Sequence, residues 1–328
     1  MFYWCSNLTT FKSNLSSLTN GSYMFSWCKN LTTFKSNLSS LTEGNWMFSD
    51  CTNLTTFDLE LKSLTNGEFM FNTCKNLTSF TSDLSSLTYG YGMFENCKNL
   101  TTFTSGSSDE PVNLSSLKNG GRMFRNCYSL TAFTSDLSSL TSGNSMFDEC
   151  YNLTAFTSNL SSLTGGSSMF EGCTSLSEFT SDLSSLTSGN GMFKGCTSLT
   201  EFTSDLSSLT NGNEMFLNCS LDAPSVQNIA LTVNKNTTTS AFNFHIGIDT
   251  KITGDAQVKR DLGLIKQKKW TLYVNGSTST DNYTTPKYAT RTNVSGVLSK
   301  DSNYKTKDIV DGVWGEHLLD LTDGSKMF

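Results

Sequence analysis

Ten cysteines, spaced by 23 residues with one exception, place the strongest constraint on the fold of this chain. They are Cys5, Cys28, Cys51, Cys74, Cys97, Cys127, Cys150, Cys173, Cys196 and Cys219. The exception is the 30-residue interval between Cys97 and Cys127. The first ten of the 11 methionines follow the same spacing, each four residues before a cysteine. A period of this length is typical of a solenoid, in which each repeat stacks only on its neighbours.

Residues 24–46 illustrate one repeat, with recurring Met, Phe, Cys, Leu and Gly columns. Their Thr and Phe content predicts two short strands, at residues 31–36 and 38–42, and the Met-Phe-x-x-Cys segment fits a helical turn. Gly44 and its equivalents predict a turn with positive φ. The apolar columns should point inward and form ladders one strand spacing apart. A lone repeat buries too little surface to offset its backbone entropy.

The cysteine ladder predicts buried, reduced thiols. Adjacent cysteines would lie near the separation of a disulfide, but stacked side chains point the same way and do not converge. The chain has no Cys-x-x-Cys and only two histidines, so neither a metal nor another cofactor is predicted. Reduced thiols suggest a reducing or anaerobic setting. The Asn-Leu-Thr tripeptides match glycosylation acceptors, although an asparagine ladder explains that column without sugar.

The repeats end after Cys219, and the composition changes there. In the second region we predict a helix over 225–233, a strand over 242–248, a helix over 255–269 and a strand over 270–274. These elements should cover the open end of the solenoid. The predicted organisation is a repeat array over 1–219 with an inserted loop at 106–112, an α/β cap over 220–275, a linker over 276–307, and a start cap over 308–328.

The last residues resemble the front half of a repeat. Leu-Leu-Asp-Leu-Thr-Asp-Gly-Ser-Lys-Met-Phe at 318–328 parallels Leu-Ser-Ser-Leu-Thr-Asn-Gly-Ser-Tyr-Met-Phe at 15–25. We therefore predict that residues 308–328 start a following array or dock head to tail on the N-terminal repeat of another chain. Met1 belongs to an ordinary repeat, so we do not expect residue 1 to be the native start.

Charge argues against a nucleic-acid partner. Residues 1–219 carry 10 Lys/Arg against 18 Asp/Glu, a net charge of −8, whereas phosphate contacts need clustered basic residues. The sequence contains no signal peptide and no apolar stretch long enough to span a membrane.

Ligand recognition is expected from the columns that vary between repeats, which lie just before each Cys and just after each Gly. Aromatic residues cluster there in the first half of the array. The candidate ligand-binding residues are Tyr3, Trp4, Tyr23, Trp27, Trp46, Phe69, Tyr89 and Tyr91. An exposed aromatic stripe suits a sugar or a protein partner. The alternative is that the rings pack against a terminal cap or a neighbouring chain.

The pattern Met-Phe-x-x-Cys-x-Asn-Leu-Thr-x-Phe resembles the BspA-like (Treponema-type) leucine-rich repeat proteins of host-associated bacterial surfaces and gut phages. Residues 221–274, ending in Lys-Lys-Trp-Thr-Leu and a short tail, resemble the segment that often follows such arrays. The resemblance implies an α/β leucine-rich repeat solenoid with parallel strands, a helix-strand cap, an adhesive or recognition role and no catalytic residues. The sequence departs from the classical pattern at Ser36 and its equivalents, which stand where the strand of a leucine-rich repeat has its third Leu.

Two functions follow as hypotheses. The first is a non-enzymatic adhesin that binds a host protein or glycan, outside the cell on a bacterial surface or phage virion. The second is a structural protein that assembles head to tail into a fibre or virion component. An enzyme is disfavoured, because His245 and His317 are the only histidines and neither belongs to a nucleophile-base pattern.

Overall fold

The computed structural model describes residues 1–105, 110–235, 243–268, 270–275 and 277–278. Its repeats form a solenoid of 23-residue coils with parallel strands, followed by a helix-strand segment, which confirms the predicted fold class. The strands and helices are β1 (Thr10–Phe11), β2 (Thr33–Phe34), β3 (Thr56–Phe57), β4 (Ser79–Phe80), β5 (Thr102–Ser105), β6 (Glu110–Pro111), β7 (Ala132–Phe133), β8 (Ala155–Phe156), β9 (Glu178–Phe179), β10 (Glu201–Phe202), β11 (Phe216–Leu221), α1 (Ala223–Lys235), β12 (Asn243–Ile248), α2 (Ala256–Lys266), β13 (Thr271–Val274) and β14 (Ser277–Thr278).

Successive coils are joined most regularly through the turn segments, which we define as residues 22–27 and their equivalents. Alternate N–H groups donate to the next coil, as in Tyr23 N to Asn45 O at 2.9 Å and Trp27 N to Ser49 O at 2.8 Å. The intervening N–H groups close tight turns within the coil, as in Cys28 N to Phe25 O at 3.1 Å. Because neighbouring N–H groups alternate between the two patterns, the segment is a chain of turns rather than the predicted helical turn.

Two positions in every turn segment have a left-handed backbone. The first left-handed column contains Tyr23, Trp46, Phe69, Gly92, Arg122, Ser145, Ser168, Gly191 and Glu214. The second contains Trp4, Trp27, Asp50, Thr73, Asn96, Asn126, Glu149, Gly172, Gly195 and Asn218. Such a conformation costs a non-glycine residue about 1–2 kcal/mol, and here the inter-coil hydrogen bonds on both sides enforce it.

The glycine column has a different role from the one predicted. None of Gly21, Gly44 and their equivalents has a positive φ, so that prediction is wrong. A Cβ on Gly44 would instead lie 2.8 Å from Met70 Sδ and 3.2 Å from Leu64 Cδ1 of the next coil. The column is glycine because the Met and Leu ladders leave no room for a side chain.

The strands are shorter than predicted. Each first strand has mostly two residues, such as β2, and the second is reduced to single parallel bridges such as Asn20 to Glu43. Among the described strands, the ladder is interrupted between β2 and β3, between β5 and β7, and between β8 and β9. The spacing of the Phe rings agrees with these interruptions. Between neighbouring coils, the ring centroids of the Phe residues in the strands are 5.4–6.5 Å apart, whereas those of the Phe residues that follow each Met are 5.2–5.6 Å apart.

The core consists of the predicted ladders of Phe, Leu, Met and Cys. Phe25, Leu31 and Leu41 are fully buried, as are their equivalents along most of the array. All ten cysteines are free, and nine are buried. From Cys28 onward, each Sγ donates to the main-chain carbonyl of a Phe in the preceding coil, at 3.1–3.3 Å. The predicted asparagine ladder is also present, for example between Asn53 Nδ2 and Asn30 Oδ1 at 3.2 Å.

The residues on the two sides of the insertion pair as a hairpin. β5 pairs with β6 in antiparallel register, with Thr104 opposite Pro111. Val112 then returns to the core, where it is fully buried. Of the predicted loop at 106–112, residues 106–109 lie outside the described residues.

The helix-strand segment covers the last coil of the array. Its sheet has the order β11-β12-β13-β14, parallel except for the last pair. Ser225 of α1 takes the place of a further strand, since its Oγ accepts from Phe202 N at 2.8 Å and donates to Thr200 O at 3.0 Å. Asp222 and Asp255 cap the two helices, which are close to the predicted ones.

The predicted linker and start cap, at residues 276–307 and 308–328, lie outside the described residues apart from β14. No helix in the described part of the chain is long and apolar enough to cross a membrane.

Candidate functional site

Seven of the eight candidate aromatic residues lie on the surface formed by the turn segments, which we call the turn face. Five of them occupy the two left-handed columns, and Tyr3 and Tyr91 lie in the columns directly before these. Tyr89 lies outside the turn segments, at a position that bridges to Asn66 and Asn119 of the neighbouring coils. Residues in the left-handed columns are held by main-chain hydrogen bonds, so their side chains are free to vary without changing the core. The structure divides seven of the eight candidates into two stacks.

The first stack follows the second left-handed column. Trp4 and Trp27 lie parallel with ring centroids 5.0 Å apart, and Tyr3 meets Trp4 edge to face at 6.1 Å. The ammonium group of Lys29 lies 4.8 Å from the centre of the Trp27 ring. Trp27 is therefore half-buried, whereas Tyr3 and Trp4 are 53% and 59% exposed.

The second stack follows the first left-handed column over four coils. Tyr23 stacks on Trp46 at 6.1 Å, Trp46 stacks on Phe69 at 4.2 Å, and Phe69 meets Tyr91 edge to face at 5.4 Å. The guanidinium group of Arg122 continues the row, 5.7 Å from the Tyr91 ring centre. Tyr89 stands apart, since no ring pair in the described part of the chain includes it.

Rings inside the stacks present their edges rather than their faces, whereas the end rings Trp4 and Tyr23 each stack on one partner only. Trp46 is covered on one side by Tyr23 and on the other by Phe69. Trp27 is covered by Trp4 on one face and contacted by Lys29. Glycines leave room for this packing, because a Cβ on Gly92 would lie 2.4 Å from the Phe69 ring. The first half of the turn face is thus a partly exposed apolar strip about four coils long.

The second half of the turn face is charged, which the sequence reasoning missed. Arg125 Nε donates to Asp148 Oδ2 at 2.8 Å, and Arg125 Nη1 lies 3.5 Å from Glu95 Oε1. Burial raises the pKa of both Glu95 and Asp148, and the guanidinium opposes that rise. The missed signal was the alternating charge of one column, in which Glu95, Arg125 and Asp148 are 30 and 23 residues apart.

A second charge cluster lies further along the turn face, where Glu171 and Lys194 continue the same column and Glu214 belongs to the first left-handed column. Lys194 Nζ is 2.8 Å from Glu214 Oε2 and 3.6 Å from Glu171 Oε1. The hydrogen bond from Lys194 lowers the pKa of Glu214, and the same bond raises the pKa of Lys194. These side chains line a groove of about 340 Å³ that extends to His245 of β12.

The described residues contain no group of three or more His, Cys, Asp or Glu side chains placed to hold a metal ion. His245 stacks on Tyr273 with ring centroids 4.3 Å apart. The other aromatic pair of the array, Tyr128 and Tyr151, is stacked at 5.1 Å outside the left-handed columns.

Comparisons with known proteins agree with the repeat pattern. The family model for the BspA type leucine rich repeat region matches residues 1–121 and 120–243. Similar solved structures include a leucine-rich repeat protein of T. pallidum, with 21% identity over 51% of this chain and 70% of that chain and a TM-score of 0.36. A leucine-rich repeat protein of Bacteroides ovatus is 19% identical over 83% of this chain and 85% of that chain, with a TM-score of 0.34.

The internalin InlF of Listeria monocytogenes is 13% identical, over 84% of this chain and 83% of that chain, with a TM-score of 0.33. No protein with a curated description matches this sequence.

Proposed function

Since the chain belongs to the BspA-type leucine-rich repeat family, we propose that it is a binding protein whose turn face docks a partner protein. Leucine-rich repeat proteins of this kind typically act by binding other proteins, are generally not enzymes, and are found on cell surfaces or secreted. The observation that carries the proposal is the pair of aromatic stacks on an otherwise polar, regular surface.

A protein partner suits the stacks better than a glycan does. Sugars bind tryptophan through the flat face of the ring, and the faces of Trp46 are already covered by Tyr23 and Phe69. The exposed edges form an apolar strip bordered by Lys29 and Arg122, which resembles the aromatic and arginine-rich centres of protein interfaces. The stacks are also rigid, so little side-chain entropy is lost on binding.

We further propose a non-enzymatic, adhesive role outside the cell. Two observations support it. Lys29 and Arg122 lie against aromatic rings of the turn face, and Arg125 pairs with carboxylates of the neighbouring coils. His245 is likewise engaged with Tyr273, at 4.3 Å. The buried thiols do not oppose an extracellular location, because each is enclosed in the core.

The test is a binding screen of the purified chain against an array of extracellular proteins, with hits quantified by biolayer interferometry. We expect Trp27→Ala and Trp46→Ala each to weaken binding by about tenfold or more, as for central interface residues. Tyr151→Ala is the matched control, since it removes an exposed ring outside both stacks and should leave binding unchanged.

Thermal melting of each variant separates lost binding from lost folding. Wild-type affinity in both tryptophan variants, with intact melting curves, would show that the stacks are not the docking surface.

A further inference from the structure

We propose that the groove near the end of the turn face binds a single hydroxyl-rich ring of a glycan, independently of the aromatic stacks. The groove has a volume of about 340 Å³, at the small end of the range for ligand sites. It lies where the last coils of the array meet β12. Its polar side chains include Ser168, Glu171, Asn190, Lys194, Asn213 and Glu214.

The groove exists because side chains are missing from the left-handed columns at this point. Gly191 occupies the column that holds Trp46 and Phe69 in earlier coils, and Gly172 and Gly195 occupy the second column. A Cβ on Gly191 would meet nothing closer than Ser168 Oγ at 3.4 Å, which is ordinary contact. Packing does not require glycine at 191, in contrast to Gly92, where the Phe69 ring fills the space. The φ of 60° at Gly191 also favours glycine, and the missing side chain leaves the cavity open.

The chemistry of the lining favours a neutral ligand that both donates and accepts hydrogen bonds. Lys194 stands between the carboxylates of Glu171 and Glu214, at 3.6 Å and 2.8 Å. The two carboxylates disfavour an anionic ligand, and the ammonium group between them already neutralises one of the two negative charges that would attract a cation. A hydroxyl group donates to a carboxylate and accepts from an ammonium or amide group, so neighbouring hydroxyls can use both.

The amide groups of the groove are fixed before any ligand arrives. Asn190 Oδ1 accepts from Asn213 N at 3.1 Å, and Asn213 Oδ1 accepts from Asn243 N at 2.7 Å. With the oxygens held in this way, the amide NH₂ groups of both side chains are oriented at fixed positions along the groove. The stack with Tyr273, at 4.3 Å, fixes the ring of His245 beside them. Such preorganisation reduces the entropy lost when a small ligand binds.

The experiment is saturation-transfer NMR on the full chain with a panel of simple sugars: methyl glucoside, methyl galactoside, methyl mannoside and N-acetylglucosamine. We expect at least one of them to bind weakly. Gly191→Phe, which introduces the residue found at the same column position at 69, should weaken that binding by at least about tenfold by filling the groove. Ser168→Tyr blocks the groove from the neighbouring coil and should do the same.

Ser145→Phe is the matched control. Ser145 lies in the same left-handed column but outside the groove, so this variant should fold and bind the sugar like the wild type. The proposal is overturned if none of the sugars binds, if both blocking variants bind as the wild type does, or if methyl-arginine or inorganic phosphate binds the groove in place of the sugars. Binding of a protein to the aromatic stacks is measured separately and does not decide this test.

Discussion

At the scale of single residues, the turn segment holds its main chain by hydrogen bonds between coils, and its outward side chains can therefore vary. Neighbouring coils fix the main chain at Tyr23 and Trp27 through N–H bonds of 2.9 Å and 2.8 Å, whatever the side chain is. The same two columns accept tryptophan, serine, glutamate and glycine in other coils. The Met, Phe, Cys and Gly columns in and beside the same segment are constant because their residues pack in the core, whereas the columns of Ser22 and Ser26 also vary.

The glycine column offers a direct test of this close packing. In Gly44→Ala the new Cβ would lie 2.8 Å from Met70 Sδ, so the methionine ladder must move, and we expect a loss of about 1–3 kcal/mol in the free energy of unfolding. Gly165→Ala is the control, because its Cβ would meet nothing closer than 3.6 Å and should change stability by less than about 1 kcal/mol. Urea unfolding followed by circular dichroism measures both. Equal losses in the two variants would contradict the explanation.

At the scale of elements, the turn segment of the middle coils is stabilised by a charge cluster. Arg125 is the nearest cation to two largely buried carboxylates, those of Glu95 and Asp148. We expect Arg125→Met to destabilise the protein at neutral pH, by less than the roughly 3–5 kcal/mol lost when a fully buried pair is broken, because the guanidinium is 34% exposed. Lys62→Met is the control, since its pair with Glu60 is exposed.

The pH dependence of that loss follows from the direction of the pKa shifts. Burial raises the pKa of Glu95 and Asp148 above the ordinary values of 4.5 and 3.8, so the folded protein binds their protons more readily than the unfolded chain does. Their contribution to stability therefore increases as pH falls through the folded-state pKa. Without Arg125 the shift is larger, so the deficit of Arg125→Met should shrink from pH 7 toward acid pH. Melting temperatures across this range check it, and a constant deficit would count against the cluster.

The elements also show how far the sequence could predict the structure. The period of 23 residues was sufficient for the solenoid and the inward columns, and helical spacing with a leading proline was sufficient for the cap helices, because each depends on local pattern. The role of the glycine column was not predictable, because it depends on how Met70 and Leu64 of the next coil fit against Gly44. The eight aromatic candidates were visible as a cluster, but their division into two edge-exposed stacks required coordinates. The groove escaped notice, since its signal is an absent side chain at Gly191.

At the scale of the whole molecule, the cysteine ladder reports on the integrity of the array. Burial raises the pKa of the thiols from Cys28 to Cys219, and each also donates to a main-chain carbonyl. A thiolate is the reactive species, so these nine should be protected in the folded protein. We expect Ellman's reagent to detect about one rapidly reacting thiol in native conditions, the half-buried Cys5.

The control is the same measurement in denaturant, where all ten thiols should react. The rate at which the remaining nine react in native conditions then measures opening of the coils. Rapid reaction of several thiols without denaturant would mean that the coils open far more readily than their packing indicates.

The regular spacing has a consequence for how such a chain can change over generations. The core columns of the array repeat with each coil, so a block of 23 residues meets equivalent neighbours wherever it is inserted or removed. Unequal recombination between near-identical repeats can therefore lengthen, shorten or reorder the array while each coil keeps its contacts. Such an exchange alters the order of side chains in the two left-handed columns. The recognition surface can therefore change while the contacts that fold each coil stay the same.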